Sequence, residues 1–126
     1  MKAAGILSFI IAAIVVFITA CHTGKGKDEV SYNFDIRPIL SDKCYACHGP
    51  DANKRKAHLR LDIADSAYAP LKDMKGSFAI VPGKPEQSEL YKRISSEDPT
   101  YQMPVPESHL GLLTEDQVAI FKKWIE

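Results

Sequence analysis

Cysteine is scarce in this 126-residue sequence, with three residues, and tryptophan scarcer still, with one. No second cysteine pair exists that could complete a structural zinc site built from two separated ligand pairs. No strand–helix–strand pattern surrounds the single CxxC pair, which argues against a thioredoxin-type redox domain. The sequence also lacks an excess of either charge, since sixteen basic residues balance sixteen acidic ones. Nothing therefore points to nucleic acid or another polyanion as a partner. No internal repeat is visible, and no low-complexity segment beyond a short Gly-Lys stretch.

What is present begins with an uncharged run. Met1-Lys2 supplies a short positive start, and Ala3 to Ala20 follows without a charge. That is the pattern of an export signal, and at this length it is also a marginal transmembrane helix. Ile18-Thr19-Ala20-Cys21 resembles the lipobox of bacterial lipoproteins, in which the signal is cut before the cysteine and the cysteine is acylated. The expectation is a signal over residues 1–20, lipidation of Cys21, and an extracytoplasmic, membrane-anchored protein on the periplasmic side or at the outer membrane. His22 follows the cysteine, so no aspartate there directs retention at the inner membrane. Residues 21–29 then read as a flexible tether, because alternating glycine and lysine cannot bury a core. The folded domain is expected over residues 30–126. Without Lys2, the chain after the signal carries fifteen basic and sixteen acidic residues, a net charge near −1. A domain this small usually needs a staple or a cofactor.

The coarse organisation is helical with long irregular loops. A first helix is expected from Phe34 to about Cys44, with Asp35 as N-cap, Pro38 in the first turn and Ile36, Ile39, Leu40 and Cys44 on one apolar face. Leu59, Leu61 and Ile63 alternate with polar residues and read as extended chain. Residues 65–76 are ambiguous, with a short helix broken at Pro70 as one reading. Phe78 to Val81 reads as a short strand ended by Pro82-Gly83. A second helix follows Pro85, with Leu90 and Ile94 four apart, and Pro99 ends it. The last helix has the clearest start. Thr114 with Gln117 fits a capping box and Leu113 with Val118 a hydrophobic staple. Its buried stripe is Val118, Phe121, Trp124 and Ile125. Loops this long in so small a domain need something to pack around.

Cys44-Tyr45-Ala46-Cys47-His48 carries the chemistry. CxxCH is the attachment pattern for c-type haem. Two thiols three apart on a helical turn reach the two vinyl groups on one edge of a porphyrin, and the next residue offers its imidazole to the iron. This use of two cysteines, with a lipid on the third, accounts for an odd cysteine count in an exported chain. A thiol-redox pair and a zinc site are the competing readings. The sixth ligand is expected from Met103, whose loop is stiffened by Pro104 and Pro106. His109 and His58 are its rivals. Met74, between Asp73 and Lys75, looks like surface. Lys54, Arg55, Lys56 and Arg60 are candidates for haem propionates or for a partner's surface, and equally for a solvated face. Tyr101 and Trp124 are candidates for hydrogen bonds near the haem edge, with helix packing the better reading for Trp124.

Several separate motifs extend the pattern. Phe34-Asp35-Ile36-Arg37-Pro38-Ile39-Leu40-Ser41 runs into Cys44 to Asp51. Lys54 to Asp62, Ile80-Val81-Pro82-Gly83-Lys84-Pro85, Ser88-Glu89-Leu90, Met103-Pro104, Leu113-Thr114 and Trp124-Ile125 follow. Together these resemble the planctomycete-type cytochrome c domain over nearly all of the chain after the signal. The resemblance implies a mainly α, class I cytochrome c-like fold around one covalent haem c. It implies attachment at Cys44 and Cys47, His48 as proximal ligand and Met103 as distal ligand. Two departures stand out. Val105 occupies a position where relatives often have a second proline, and the chain stops at Glu126 where relatives often continue into larger domains. It is thus expected to be either a stand-alone carrier or a piece of a longer protein.

The function expected is single-electron transfer by a membrane-anchored cytochrome, not catalysis. The partner would be a redox protein or a further haem domain. A haem-based enzyme or sensor with a displaceable distal ligand is the alternative.

Overall fold

The computed structural model describes residues 29–126. The signal, the lipobox with Cys21, His22 and all of the tether except Glu29 lie outside the described residues. Among the described residues every regular element is helical, and none is long and apolar enough to cross a membrane.

The chain enters through a π-helical turn, Tyr32–Ile36, which runs directly into α1, Arg37–Lys43. The helix thus starts earlier than its sequence suggests. Asp35 is not the N-cap. Its carboxylate instead accepts the Ser31 N–H at 2.6 Å, reaching back to a donor that the first turn leaves without a partner. Ile36 and Leu40 are almost fully buried and Ile39 and Cys44 pack beside them, as the apolar spacing predicts. Cys44 forms the joint to a single turn, α2, Tyr45–His48.

The middle of the chain departs most from expectation. Leu61 is buried and Leu59 partly so, but Ile63 is 39% exposed, and the stretch carries no regular element. A single turn, α3, Ala64–Ala67, follows, the short helix ahead of Pro70 that is one reading of residues 65–76. Phe78 to Val81 makes only isolated bridges, from Phe78 to Pro70 and to Ser88. It has no long neighbour to pair with, and its polar groups serve a helix start instead. The N–H groups of Glu89 and Leu90 donate to the carbonyls of Phe78 and Ala79, both at 3.0 Å. These are donors that a helix cannot satisfy within itself. The buried Ser88 hydroxyl completes the joint, accepting the Val81 N–H at 2.8 Å and donating to the Lys84 carbonyl at 3.0 Å.

Beyond a 3-10 turn at Pro85–Gln87 lies α4, Glu89–Ile94. A second 3-10 turn, Pro106–Ser108, leads to α5, Glu115–Ile125. The capping box at its start is formed as predicted, with Thr114 accepting from the Gln117 N–H and Gln117 accepting from the Thr114 N–H. Phe121 and Ile125 are buried. Trp124 packs edge-on against Phe121 (6.2 Å) and tilted against Tyr32 (5.8 Å), so the last helix closes on the first turn. At its far end the Gly83 N–H donates to the Ile125 carbonyl at 2.6 Å. Gly83 sits at φ +75°, a conformation that glycine adopts without steric cost.

Candidate functional site

The tight turn at Cys44 sets the site. Cys47 and His48 both donate backbone hydrogen bonds to the Cys44 carbonyl, at 3.1 and 2.8 Å. The loop that follows folds back onto the same turn. The Lys56 N–H donates to the Cys47 carbonyl and the Leu61 N–H to the His48 carbonyl, both at 2.8 Å. Gly49 is buried where this return begins. A β-carbon there would lie 2.4 Å from the Tyr45 carbonyl oxygen, so only glycine lets the chain leave the helix so closely. Ala57 and His58 both take left-handed backbone conformations at the tip of the return.

A cavity of about 260 Å³ opens beside this turn. Its walls include Cys44, His48, Leu59, Leu61, Leu90 and Met103. A smaller void of about 40 Å³ adjoins it, lined by Cys44, Cys47, His48 and Met103 among others. His48 and Met103, 55 residues apart in sequence, therefore face the same space. Two ties hold Met103 and its loop. The Met103 N–H donates to the Arg93 carbonyl at the end of α4 (3.0 Å), and Lys43 at the end of α1 donates to the Leu110 carbonyl (2.7 Å). The Met103–Pro104 peptide is cis and Pro104 is buried. His58 and His109 are exposed and line neither space.

The electrostatics of the motif suit ligation more than thiol chemistry. Burial lowers the pKa of His48; the Lys56 backbone acts against this and the Arg93 charge with it. The imidazole is thus held neutral, the form that binds metals. Its Nδ1 is buried and has no hydrogen-bond partner in the protein. Burial pushes the Cys44 thiol up to about 12, helped by Asp42 and Cys47 and opposed by Lys43. That is the opposite of an activated redox thiol. Cys44 and Cys47 are both free of disulfides. Among the described residues no cluster of three or more His, Cys, Asp and Glu side chains converges as a metal site. An apolar cavity, two adjacent free thiols, a neutral imidazole and a thioether together fit a covalently held haem better than a bare metal ion.

Four residues at this site escaped the sequence reading. Met74 is half-buried on the cavity wall, not on the surface. Glu89 and Arg93 line the same wall, and Lys43 braces the Met103 loop. The spacing of Glu89 and Arg93, four apart and interleaved with Leu90 and Ile94, places a charged pair within an apolar helical stripe, which was the available signal. The two arginines among the cations that the sequence offered are engaged elsewhere. Arg55 donates to the carbonyls of Gly49 (3.2 Å) and Pro50 (2.9 Å), and Arg60 makes a two-point bond to Asp62. Lys54 and Lys56 are exposed. Tyr101 hydrogen-bonds Glu89 at the cavity wall, whereas Trp124 belongs to helix packing.

A protein-family model described as Planctomycete cytochrome C matches residues 44–107. No curated protein matches the chain, and no solved structure does.

Proposed function

The chain belongs to the planctomycete cytochrome c family, and from that premise we propose that it carries one covalent haem c and passes single electrons without catalysing a reaction of its own. The observation that carries this reading is the shared cavity, in which His48 and Met103 face one apolar space beside the paired thiols of Cys44 and Cys47. Such a haem would supply one-electron cycling between ferrous and ferric iron.

The roles of the chain's own residues follow from their chemistry. Cys44 and Cys47 hold the group through thioethers, which suits a domain too small to grip it by packing alone. His48 presents a neutral imidazole as the proximal ligand. Met103 presents a thioether as the distal ligand, and the pairing of methionine with histidine raises the reduction potential. Leu59, Leu61 and Leu90 keep water from the site, and the helices and loops complete a class I-like arrangement around it.

Absorption spectra of the exported protein, oxidised and reduced, before and after denaturation in pyridine, test this reading. A c-type haemochrome with a low-spin ferric spectrum is expected. Met103→Ala should convert that spectrum to high spin or lower the potential. A haem-free product from a host able to attach haem would overturn the reading.

The anchor belongs to the same proposal. The lipobox supports acylation of Cys21, so the domain would work at a membrane outside the cytoplasm, where a redox protein or another haem domain would exchange electrons with it. Cys21→Ser should leave the haem spectrum intact and move the protein from the membrane to the soluble fraction. Unchanged membrane association would reject lipidation.

A further inference from the structure

Among the described residues lining the cavity beside the CxxCH turn, Arg93 is the one lysine or arginine. Two contacts hold it there. Its Nε lies 3.5 Å from the Glu89 carboxylate, and the two side chains are 25% and 6% exposed. Its guanidinium stacks over the Tyr101 ring, 4.3 Å from the centroid. Tyr101 in turn donates its hydroxyl to Glu89 at 2.7 Å, while Lys92 donates to the other Glu89 oxygen at 2.9 Å. Glu89 is therefore fully engaged as the hub of this wall.

The far side of the guanidinium is poorly used. One terminal nitrogen donates to the Tyr101 carbonyl at 3.3 Å, and the other to the Met74 sulfur at 3.5 Å. Both bonds are long, and a thioether is a weak acceptor. A planar fork of N–H donors in these surroundings matches a carboxylate in charge and in shape. The other arginines considered for this role, Arg55 and Arg60, are committed to loop carbonyls and to Asp62, and neither lines the cavity.

We propose that Arg93 is the carboxylate anchor of this cavity, pairing with a propionate of the bound haem, and that Glu89 and Tyr101 are positioning residues that hold its guanidinium at the wall. The inference rests on the haem reading above. A fixed positive charge beside the haem disfavours ferric iron and so raises the reduction potential.

Redox titration and resonance Raman spectroscopy of the haem-loaded protein test this, with Arg93→Gln and Arg93→Lys beside the wild type. Arg93→Gln should shift the redox equilibrium constant three- to tenfold toward ferric iron. At 59 mV per tenfold for one electron, that lowers the potential by about 30–60 mV. The propionate bending band should shift with it. Arg93→Lys should restore most of the potential but not the band, because an ammonium supplies the charge without the fork. A wild-type potential and band in Arg93→Gln would overturn the proposal. Should that variant fail to accumulate, an unshifted band in Arg93→Lys would overturn it equally. A wild-type protein without haem would overturn the cytochrome reading instead.

Discussion

Glu89 shows how one side chain serves both stability and the site. Burial alone pushes its carboxyl up, but hydrogen bonds from Lys92 and Tyr101 and the charges of Lys92 and Arg93 outweigh this and hold it below the usual carboxylate range. A pKa lower in the folded chain than in the unfolded one means that the ionised form contributes stability. That contribution is complete above the unfolded value and is lost as pH falls through the folded one. Glutamine cannot supply it. Thermal unfolding of the haem-loaded protein, followed by circular dichroism, should thus place Glu89→Gln below wild type at neutral pH. The gap should close as pH falls through and below the ordinary carboxylate range. A gap that stays constant with pH would show that Glu89 acts by shape alone. Ser88 and Gly49 make a simpler point. Each occupies a place where a different side chain would leave a backbone group unpaired or collide with one, and neither place can be recognised without its distant neighbours.

The helices divide into those specified locally and those specified by contact. α5 carries its own start signal, and Thr114→Ala should remove the accepting oxygen of its capping box. The cost should be about 1 kcal/mol, which lowers the thermal midpoint by about 4–8 °C in a domain of this size. A calorimetric scan would measure it, and an unchanged midpoint would mean that packing of Phe121 and Ile125 alone sets the helix. α4 differs, since its first donors are satisfied by Phe78 and Ala79 and not by a side-chain cap. Its apolar pair, Leu90 and Ile94, was readable, but its charged face and its end at Ile94, five residues before Pro99, were not. The strand reading at 78 to 81 failed for a related reason. A β-prone run reports burial but not pairing. A strand also needs a partner of matching length.

For the whole molecule, the open and largely apolar cavity beside the CxxCH turn, about 260 Å³, leaves apolar surface uncovered in a domain too small to bury much elsewhere. The chain with Cys44→Ala and Cys47→Ala, unable to retain haem, should therefore lose its cooperative thermal transition and its near-ultraviolet circular dichroism. It should also bind a hydrophobic dye, as loosely packed states do. A sharp transition matching that of wild type would show that the protein core suffices without the cofactor.

The CxxCH turn, the capping box, the apolar face of the first helix and the identity of the family were all legible along the chain. They depend on residues within a few positions of one another, where covalent geometry and local hydrogen bonding act. Met103 was legible as a candidate ligand because proline marks its loop. The placement of that loop depends on Lys43 reaching the Leu110 carbonyl, 67 residues away, and on the Arg93 carbonyl receiving the Met103 N–H. The left-handed turn at Ala57-His58 has no turn signature, and it lies between two backbone bonds back to Cys47 and His48. Arg93 on the cavity wall and Met74 beside it belong to the same class. Which side of a helix or loop meets a cavity is decided by where other segments close around it, and those closures join residues that spacing and composition do not connect.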